Sequence, residues 1–429
     1  MKNVNRRNFI RTVGIGGAGL TFSSASASNN YLNGYEEALS EEAFFPIMPW
    51  DEPAVEDAKT DEIIRSIKDC NYTVAGYVPP EKLAICEKLG LKAIVTIPGG
   101  PHKEREDWSQ YSDEDMERLV KNCLTKANSS KAMMGMYAID EPVEGSFKNI
   151  GRIVSTIKRL APDIIAYMNL FGNEVVEKQP QLVGTASYTE YLERTFREIN
   201  PSILSWDNYT IQYSMDQRDP IKAAYYYDNL LMGREFALKK GIPFWNTIIA
   251  NQIRPFTTIP SLANLSLQAF TSLAAGVSGL AWFTFLPSTH KDYFHTPVDF
   301  DGNRSLTWYY LREVNRQVKV LGPVLSKTKS TGVYFSGTHP AKLCTGLPGR
   351  IVKTAKSDAP LMIGEFEGKD ADYMMVVNIS LERSTKFELS LHSDAKIEIV
   401  SAIDGKTYPM VKVRDEWLNT GQGVLFKIS

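Results

Sequence analysis

The chain has 429 residues, 43% hydrophobic and 23% charged, with 22 prolines and 29 glycines. This is the composition of a folded globular protein, and it excludes global disorder, collagen and coiled coil. Forty-eight basic side chains face 50 acidic ones, and without the first 27 residues the balance is 44 against 50, a charge of −6. A surface built for nucleic acid is thereby disfavoured.

The chain opens with Asn5-Arg6-Arg7-Asn8-Phe9-Ile10-Arg11, a weakly apolar run over 12–22, and Ser23-Ser24-Ala25-Ser26-Ala27. A charged stretch, an apolar stretch too short for a bilayer and a small-residue site make an export signal of twin-arginine type. Cleavage is expected after Ala27, with a linker over 28–42 and a periplasmic or extracellular destination. No later stretch approaches 18 uncharged apolar residues, so no membrane segment is expected after the signal. Cys70, Cys86, Cys123 and Cys344 contain no C-x-x-C pair and read as small buried hydrophobes; a Cys70–Cys86 bridge is the one pairing the spacing suggests.

From residue 43 a unit repeats: a short apolar run, a polar loop, an amphipathic stretch. Strands are predicted over 44–50, 72–78, 93–98, 134–139, 164–170, 203–206, 244–250 and 279–285, most of them apolar on both faces as buried parallel strands are. Helices are predicted over 60–69, 80–88, 113–127, 147–160, 189–199, 225–240, 261–275 and 307–321, several starting at cap residues (Thr60, Ser112, Ser146, Ser261) and ending before glycine. Eight alternating units predict an α/β fold, a (β/α)8 TIM barrel over 43–326. The loop after strand one, Pro49-Trp50-Asp51-Glu52-Pro53, lacks a G-x-G-x-x-G, which disfavours a dinucleotide fold.

Beyond residue 325 the period becomes two, with runs at 332–335, 361–367, 373–378, 385–391, 396–403 and 424–428. This predicts a small all-β, β-sandwich-like C-terminal domain over 327–429 packed against the barrel, with Asp404-Gly405 as a hairpin turn.

The working face of such a barrel is the carboxyl end of its strands. Strand four ends in Tyr137-Ala138-Ile139-Asp140-Glu141-Pro142. Adjacent carboxylates repel, and burial raises a carboxyl pKa further, which suits Glu141 as a general acid tuned by Asp140. The pair could equally cap the following helix or bind barrel arginines. Strand six ends in Trp206-Asp207-Asn208-Tyr209, placing a second carboxylate, Asp207, beside aromatics. Amides that suit hydroxyl recognition follow strands five and seven (Asn169, Asn251, Gln252), and Trp50, Tyr77, Tyr209, Trp245, Trp282 and Phe285 are candidate platforms for sugar rings. His102, His290 and His295 fall in loops expected on the same face, but no H-x-x-x-H or H-E-x-x-H spacing is present. His102 is kept as a candidate substrate contact, and neither metal nor cofactor is expected. There is no G-x-S-x-G for serine hydrolysis.

The export signal, the strand-four ending 137–142, the stretch Tyr188-Thr189-Glu190-Tyr191-Leu192 leading to 204–209, and the terminal β module together resemble secreted TIM-barrel glycoside hydrolases of the clan A, beta-galactosidase-like kind. The resemblance implies a carbohydrate substrate and Glu141 as proton donor. It also implies a nucleophilic glutamate at the end of strand seven, and here the chain departs: no Asp or Glu stands between Glu235 and Asp292. Asp207 is the best substitute, as base or nucleophile. The expectation is therefore an exported glycosidase acting on oligo- or polysaccharides by carboxylate acid/base catalysis. The alternative is a silent carbohydrate-binding barrel, and a third reading is a metal-dependent hydrolase using His102, His290 and an aspartate.

Overall fold

The computed structural model describes residues 44–50, 59–101, 108–209, 220–254, 257–288, 292–411 and 415–429. The export signal and linker expected over 1–42, His102 and His290 lie outside the described residues. Strand and helix alternate as the apolar periodicity predicts. The first half contains β1 (Ile47–Pro49), α1 (Lys59–Asp69), β2 (Val74–Val78), α2 (Leu83–Lys88), β3 (Lys92–Val95), α3 (Asp113–Ala127), β4 (Met133–Asp140) and α4 (Phe147–Leu160). There follow β5 (Ile165–Asn169), α5 (Tyr188–Glu198), β6 (Leu204–Asp207), α6 (Pro220–Lys240), β7 (Phe244–Ile249), α7 (Leu262–Ala274), β8 (Gly279–Phe283) and α8 (Leu306–Ser326).

Side chains fix several helix starts. Ser112 and Ser261 close capping boxes with Asp115 and Asn264, satisfying backbone N–H groups that have no partner inside the helix. Ser146 behaves differently: its hydroxyl donates to the Val143 carbonyl at 2.6 Å and closes a short 3-10 turn, Glu144–Ser146, ahead of α4.

The eight strands run parallel in two four-stranded sheets, ordered β1-β8-β7-β6 and β2-β3-β4-β5. They do not form one continuous hydrogen-bonded ladder. At the β5/β6 join there is a single bridge, Leu170 opposite Trp206, where the Asp207 N–H donates to the Leu170 carbonyl at 3.0 Å. At the β1/β2 join the Thr73 N–H donates to the Ile47 carbonyl at 3.0 Å, but the Ile47 N–H is taken by the Thr73 hydroxyl at 2.8 Å. A side chain thus stands where a strand partner would, and the ladder stops. The inner faces nonetheless share one apolar cluster, drawing Met48, Val74, Ile94, Met134, Ile165, Ile203, Trp245 and Ala281 from all around the two sheets. The outer faces bury themselves against the helices.

The C-terminal part contains β9 (Lys329–Ser336), β10 (Val352–Ser357), β11 (Leu361–Glu367), β12 (Asp372–Asn378), β13 (Thr385–Leu391), β14 (Ile397–Val400) and β15 (Gly423–Ile428). Strands β9, β11, β12, β15 and β14 pair antiparallel in that order, and β10 pairs with β13 in a smaller sheet. Period-two alternation sorts the large sheet's side chains. Leu361, Ile363, Met374, Val376 and Phe426 meet Val352 and Phe387 of the smaller sheet, while Met362, Phe366, Met375 and Leu425 join the core of the parallel part. Gly364 makes the second contact possible, because a Cβ there would stand 2.0 Å from the Ala274 carbonyl oxygen of α7. The Asp404-Gly405 turn connects β14 to an antiparallel partner at Thr407–Pro409, with Gly405 at φ 71°. Strand β10 has no counterpart in the periodicity reading, since Val352–Ser357 is mostly polar and solvent-facing.

All four cysteines are free thiols, so no Cys70–Cys86 bridge forms; the buried Cys70 Sγ lies 3.4 Å from the Trp308 carbonyl oxygen. No helix among the described residues is long and apolar enough to cross a membrane.

Candidate active site

Two carboxylates, Asp140 and Asp207, converge on one amide at the carboxyl ends of β4, β5 and β6. Asn169 ends β5 and is almost wholly buried. Its Nδ2 donates to Asp207 Oδ1 at 2.7 Å and to Asp140 Oδ1 at 3.3 Å. Its Oδ1 accepts from Ser205 Oγ at 2.9 Å and Thr247 Oγ1 at 3.0 Å. Both ends of the amide are thus occupied, and the two carboxylate acceptors fix which end is nitrogen. Tyr167 Oη, 3.0 Å from Ser205 Oγ, extends the network into the interior.

Glu141 lies one residue past β4, with its N–H donating to the Asn169 carbonyl at 2.9 Å. Its φ is +45°, a left-handed conformation that is costly for a residue bearing a Cβ. Backbone strain of this kind amounts to about 1–3 kcal/mol and persists only where neighbours over-determine the geometry. The neighbours here are β5 through Asn169, and α5, whose Tyr191 hydroxyl donates to the Pro142 carbonyl at 2.9 Å. Asp207, half-buried, is held from behind by Asn229 Nδ2, which donates to its backbone carbonyl at 2.8 Å.

The Glu141 carboxyl influences the ionisation of Asp207. Burial raises the Asp207 carboxyl above its ordinary value, and Glu141 together with hydrogen bonds from Tyr209 and Asn169 offsets part of that rise. The Tyr209 hydroxyl donates to Asp207 Oδ1 at 2.7 Å, and burial, then the Asp207 charge, pushes its own ionisation well up. Tyr209 therefore stays a donor.

The remaining expected site residues divide by strand parity. Trp50 is half-buried, with its ring 4.7 Å from Tyr77 and 6.2 Å from Tyr167, so both Trp50 and Tyr77 lie over the inner cluster near the carboxylates. Tyr209 stacks on Phe283 at 5.3 Å, and Phe283 meets Tyr293 edge-on at 5.3 Å. Trp245 points inward but is fully buried, against Gly279 and 5.6 Å from Tyr167. Trp282 points the opposite way: its indole N–H donates at 2.9 Å to Asn315 Oδ1 of α8. Phe285 is likewise buried, edge-on to Tyr72 at 5.7 Å. These three are wall rather than mouth. Asn251 is fully buried, and Gln252 is half-buried and donates to the Thr257 carbonyl at 3.3 Å.

Ser205, Thr247, Tyr167 and Phe283 belong to the site and were not singled out from sequence. Counting back by two from Asp207 reaches Ser205, and from Asn169 reaches Tyr167, so inward parity was the available signal. Among the described residues no group of three His, Cys, Asp or Glu side chains could hold a metal ion.

No family model matches the chain, and none of the curated proteins matches it. Solved structures do. A catalytic mutant of Gan42B, a GH42 beta-galactosidase from G. stearothermophilus, aligns over 91% of this chain and 99% of that one, with a TM-score of 0.62 at 8% identity. Another structure of Gan42B aligns over the same shares with a TM-score of 0.61 at 7% identity. The beta-galactosidase of the psychrophilic Marinomonas ef1 aligns over 67% of this chain with a TM-score of 0.50 at 11% identity, and this chain spans 63% of that enzyme. At these identities the likeness to those glycoside hydrolases is one of fold alone.

Proposed function

We propose that the chain is an exported glycoside hydrolase acting on oligo- or polysaccharides, with its parallel strands arranged as a TIM-type barrel over 43–326 and a β-sandwich-like domain after it. The observation that carries the reading is the meeting of Asp140 and Asp207 on the buried Asn169 amide, with the Glu141 N–H on the Asn169 carbonyl beside it. The inner cluster shared by both parallel sheets supports the barrel.

In this reading Glu141 is the proton donor and Asp207 the nucleophile. Asp207 has two donors, Asn169 and Tyr209, that stabilise its anion, and the nearby Asp140 carboxylate opposes a further negative charge beside it. Glu141 gives its proton to the glycosidic oxygen as the bond to the anomeric carbon breaks. Asp207 attacks that carbon and forms a glycosyl ester. Water then attacks the ester with Glu141, now a carboxylate, taking its proton, and Asp207 leaves as carboxylate. This double displacement calls for a carboxyl separation of about 5–5.5 Å, whereas about 6.5–9.5 Å would leave room for a water and inversion.

The test is a panel of aryl glycosides. Wild type is expected to release aglycone from at least one, and Glu141→Gln to release it about 10²–10⁴-fold more slowly while melting at the wild-type temperature. Unchanged turnover in Glu141→Gln removes the assignment. The inner face of β7 favours a second reading, since it carries Trp245 and Thr247 but no acid. On that reading the chain binds glycans without cleaving them, and calorimetry detects oligosaccharide binding while no reducing sugar appears.

A further inference from the structure

One arm of the network around Asn169 runs away from the carboxylates into the interior. Tyr167 stands two residues before Asn169 on β5, so it faces the same side of the strand, and it is fully buried. Its ring lies 5.6 Å from Trp245 and 6.2 Å from Trp50, and its hydroxyl lies 3.0 Å from Ser205 Oγ on β6. Ser205 Oγ is in turn 2.9 Å from Asn169 Oδ1, and Asn169 Nδ2 reaches Asp207 Oδ1 at 2.7 Å.

The chemistry of these groups fixes the direction of the chain. A carbonyl oxygen only accepts, so the single proton of Ser205 is committed to Asn169. Ser205 Oγ therefore accepts from Tyr167, which is the donor at the head of the chain. Burial pushes the ionisation of the Tyr167 hydroxyl well up, so the phenol stays protonated across the neutral range. Every donor then points the same way: Tyr167 to Ser205, Ser205 to Asn169, Asn169 to Asp207. Hydrogen bonds aligned head to tail polarise one another, so acceptance at Oδ1 makes Nδ2 the stronger donor and keeps it turned toward the acids. Thr247 Oγ1 donates to the same Oδ1 at 3.0 Å from β7, so the Tyr167 arm adds to a hold that β7 shares.

The titratable groups that act on Asp207 are Asp140 and Glu141 at the end of β4, Tyr188 on α5 and Tyr209 beyond β6. Those that face Tyr167 are Asp140 and Tyr77, whose ring lies 6.1 Å away. We infer that Tyr167 is a positioning residue for Asp207: through Ser205 it holds the Asn169 amide so that the nitrogen stabilises the Asp207 anion. That Asp207 then acts as nucleophile rests on the function proposed above, whereas the chain of donors to its carboxylate does not.

The test is a carbon NMR titration of the full-length protein labelled at aspartate carboxyls, with the Asp207 signal identified by its loss in Asp207→Asn. Tyr167→Phe keeps the ring among its neighbours and removes the hydroxyl, and Asp207 is then expected to titrate at higher pH than in wild type. A tyrosine that only filled space would leave that titration where it is. On an aryl glycoside that wild type cleaves, kcat of Tyr167→Phe is expected to fall about two- to ten-fold, the worth of one ordinary hydrogen bond, with KM unchanged. In a Ser205→Ala background Tyr167→Phe is expected to shift nothing further, because the link is already cut. Should Tyr167→Phe not fold, 3-fluorotyrosine placed at position 167, a stronger donor of similar size, is expected to move the Asp207 titration to lower pH. The inference is overturned if neither replacement moves the titration, if either moves it in the opposite direction, or if Tyr167→Phe has its full effect without Ser205. A shifted titration in a protein that cleaves no glycoside supports the chain of donors and counts against hydrolysis alone. Turnover with an unshifted titration counts against Tyr167 alone.

Discussion

The two sides of the strand ends use different chemistry. On the β5–β6 side both functional ends of the Asn169 amide are bonded, two carboxylates accept from it, and Glu141 is held in a left-handed conformation. On the β7–β8 side the inward residues are Trp245, Thr247 and Phe283, and neither strand carries an acid. Proton transfer needs groups whose positions and charge states are fixed, which a saturated network supplies; sugar faces need broad apolar area, which rings supply. On the proposed function, the contrast puts reaction on one side and recognition on the other.

Mutations can break this contrast in order of effect. Glu141→Gln is expected to lower kcat by about 10²–10⁴-fold, the range general acid catalysis contributes, with little change in melting temperature. Trp282→Ala probes the wall of the opposite side. It should cost about 3–5 kcal/mol of stability in urea unfolding while activity per folded molecule persists, because its ring faces α8. Loss of activity without loss of stability would return Trp282 to the mouth.

Asn169→Ala should cost about 1–3 kcal/mol, since it strands the Ser205 and Thr247 hydroxyls, and it should lower kcat more than it raises KM. An unchanged kcat would mean that the network is structural only. The smallest effect is expected of Tyr209→Phe. It removes a donor to the Asp207 anion, so the acidic limb of the pH–rate profile should move to higher pH. A limb that stays put would separate Tyr209 from the reaction.

Asp207 also gives a stability test with a defined sign. Burial raises its folded-state pKa above the unfolded value, so the folded state holds the proton more tightly. That contribution is fully present below the unfolded pKa and is lost as pH rises through the folded pKa. Asp207→Asn should therefore melt higher than wild type on the alkaline side, with the gap closing toward acid. A gap that widens toward acid would contradict the burial argument.

The sequence announces a feature where several residues agree locally. Alternating apolar runs place all eight parallel strands, and the 113–127 and 147–160 helices match α3 and α4 end to end. Asp140, Glu141 and Asp207 are legible because an acid directly after a buried strand has few structural uses. Ser205 and Thr247 are not, because a small hydroxyl inside a strand reads as filler until its partner on another strand is known. Trp282 and Phe285 mislead for a related reason: a large ring near a strand end can face either way, and Ala281 and Phe283 take the inner positions beside Trp282. The broken ladder at β1/β2 depends on one Thr73 hydroxyl reaching the Ile47 N–H, which no periodicity encodes.

The account's central claim is tested most directly by incubating the wild-type protein with a fluorinated aryl glycoside that it accepts, one whose slowed second step lets a glycosyl ester accumulate, and mapping the modified peptide by mass spectrometry. The account predicts one sugar mass on the peptide containing Asp207 and none after Asp207→Asn. An adduct on a different acid, or steady hydrolysis with no adduct at all, would contradict it.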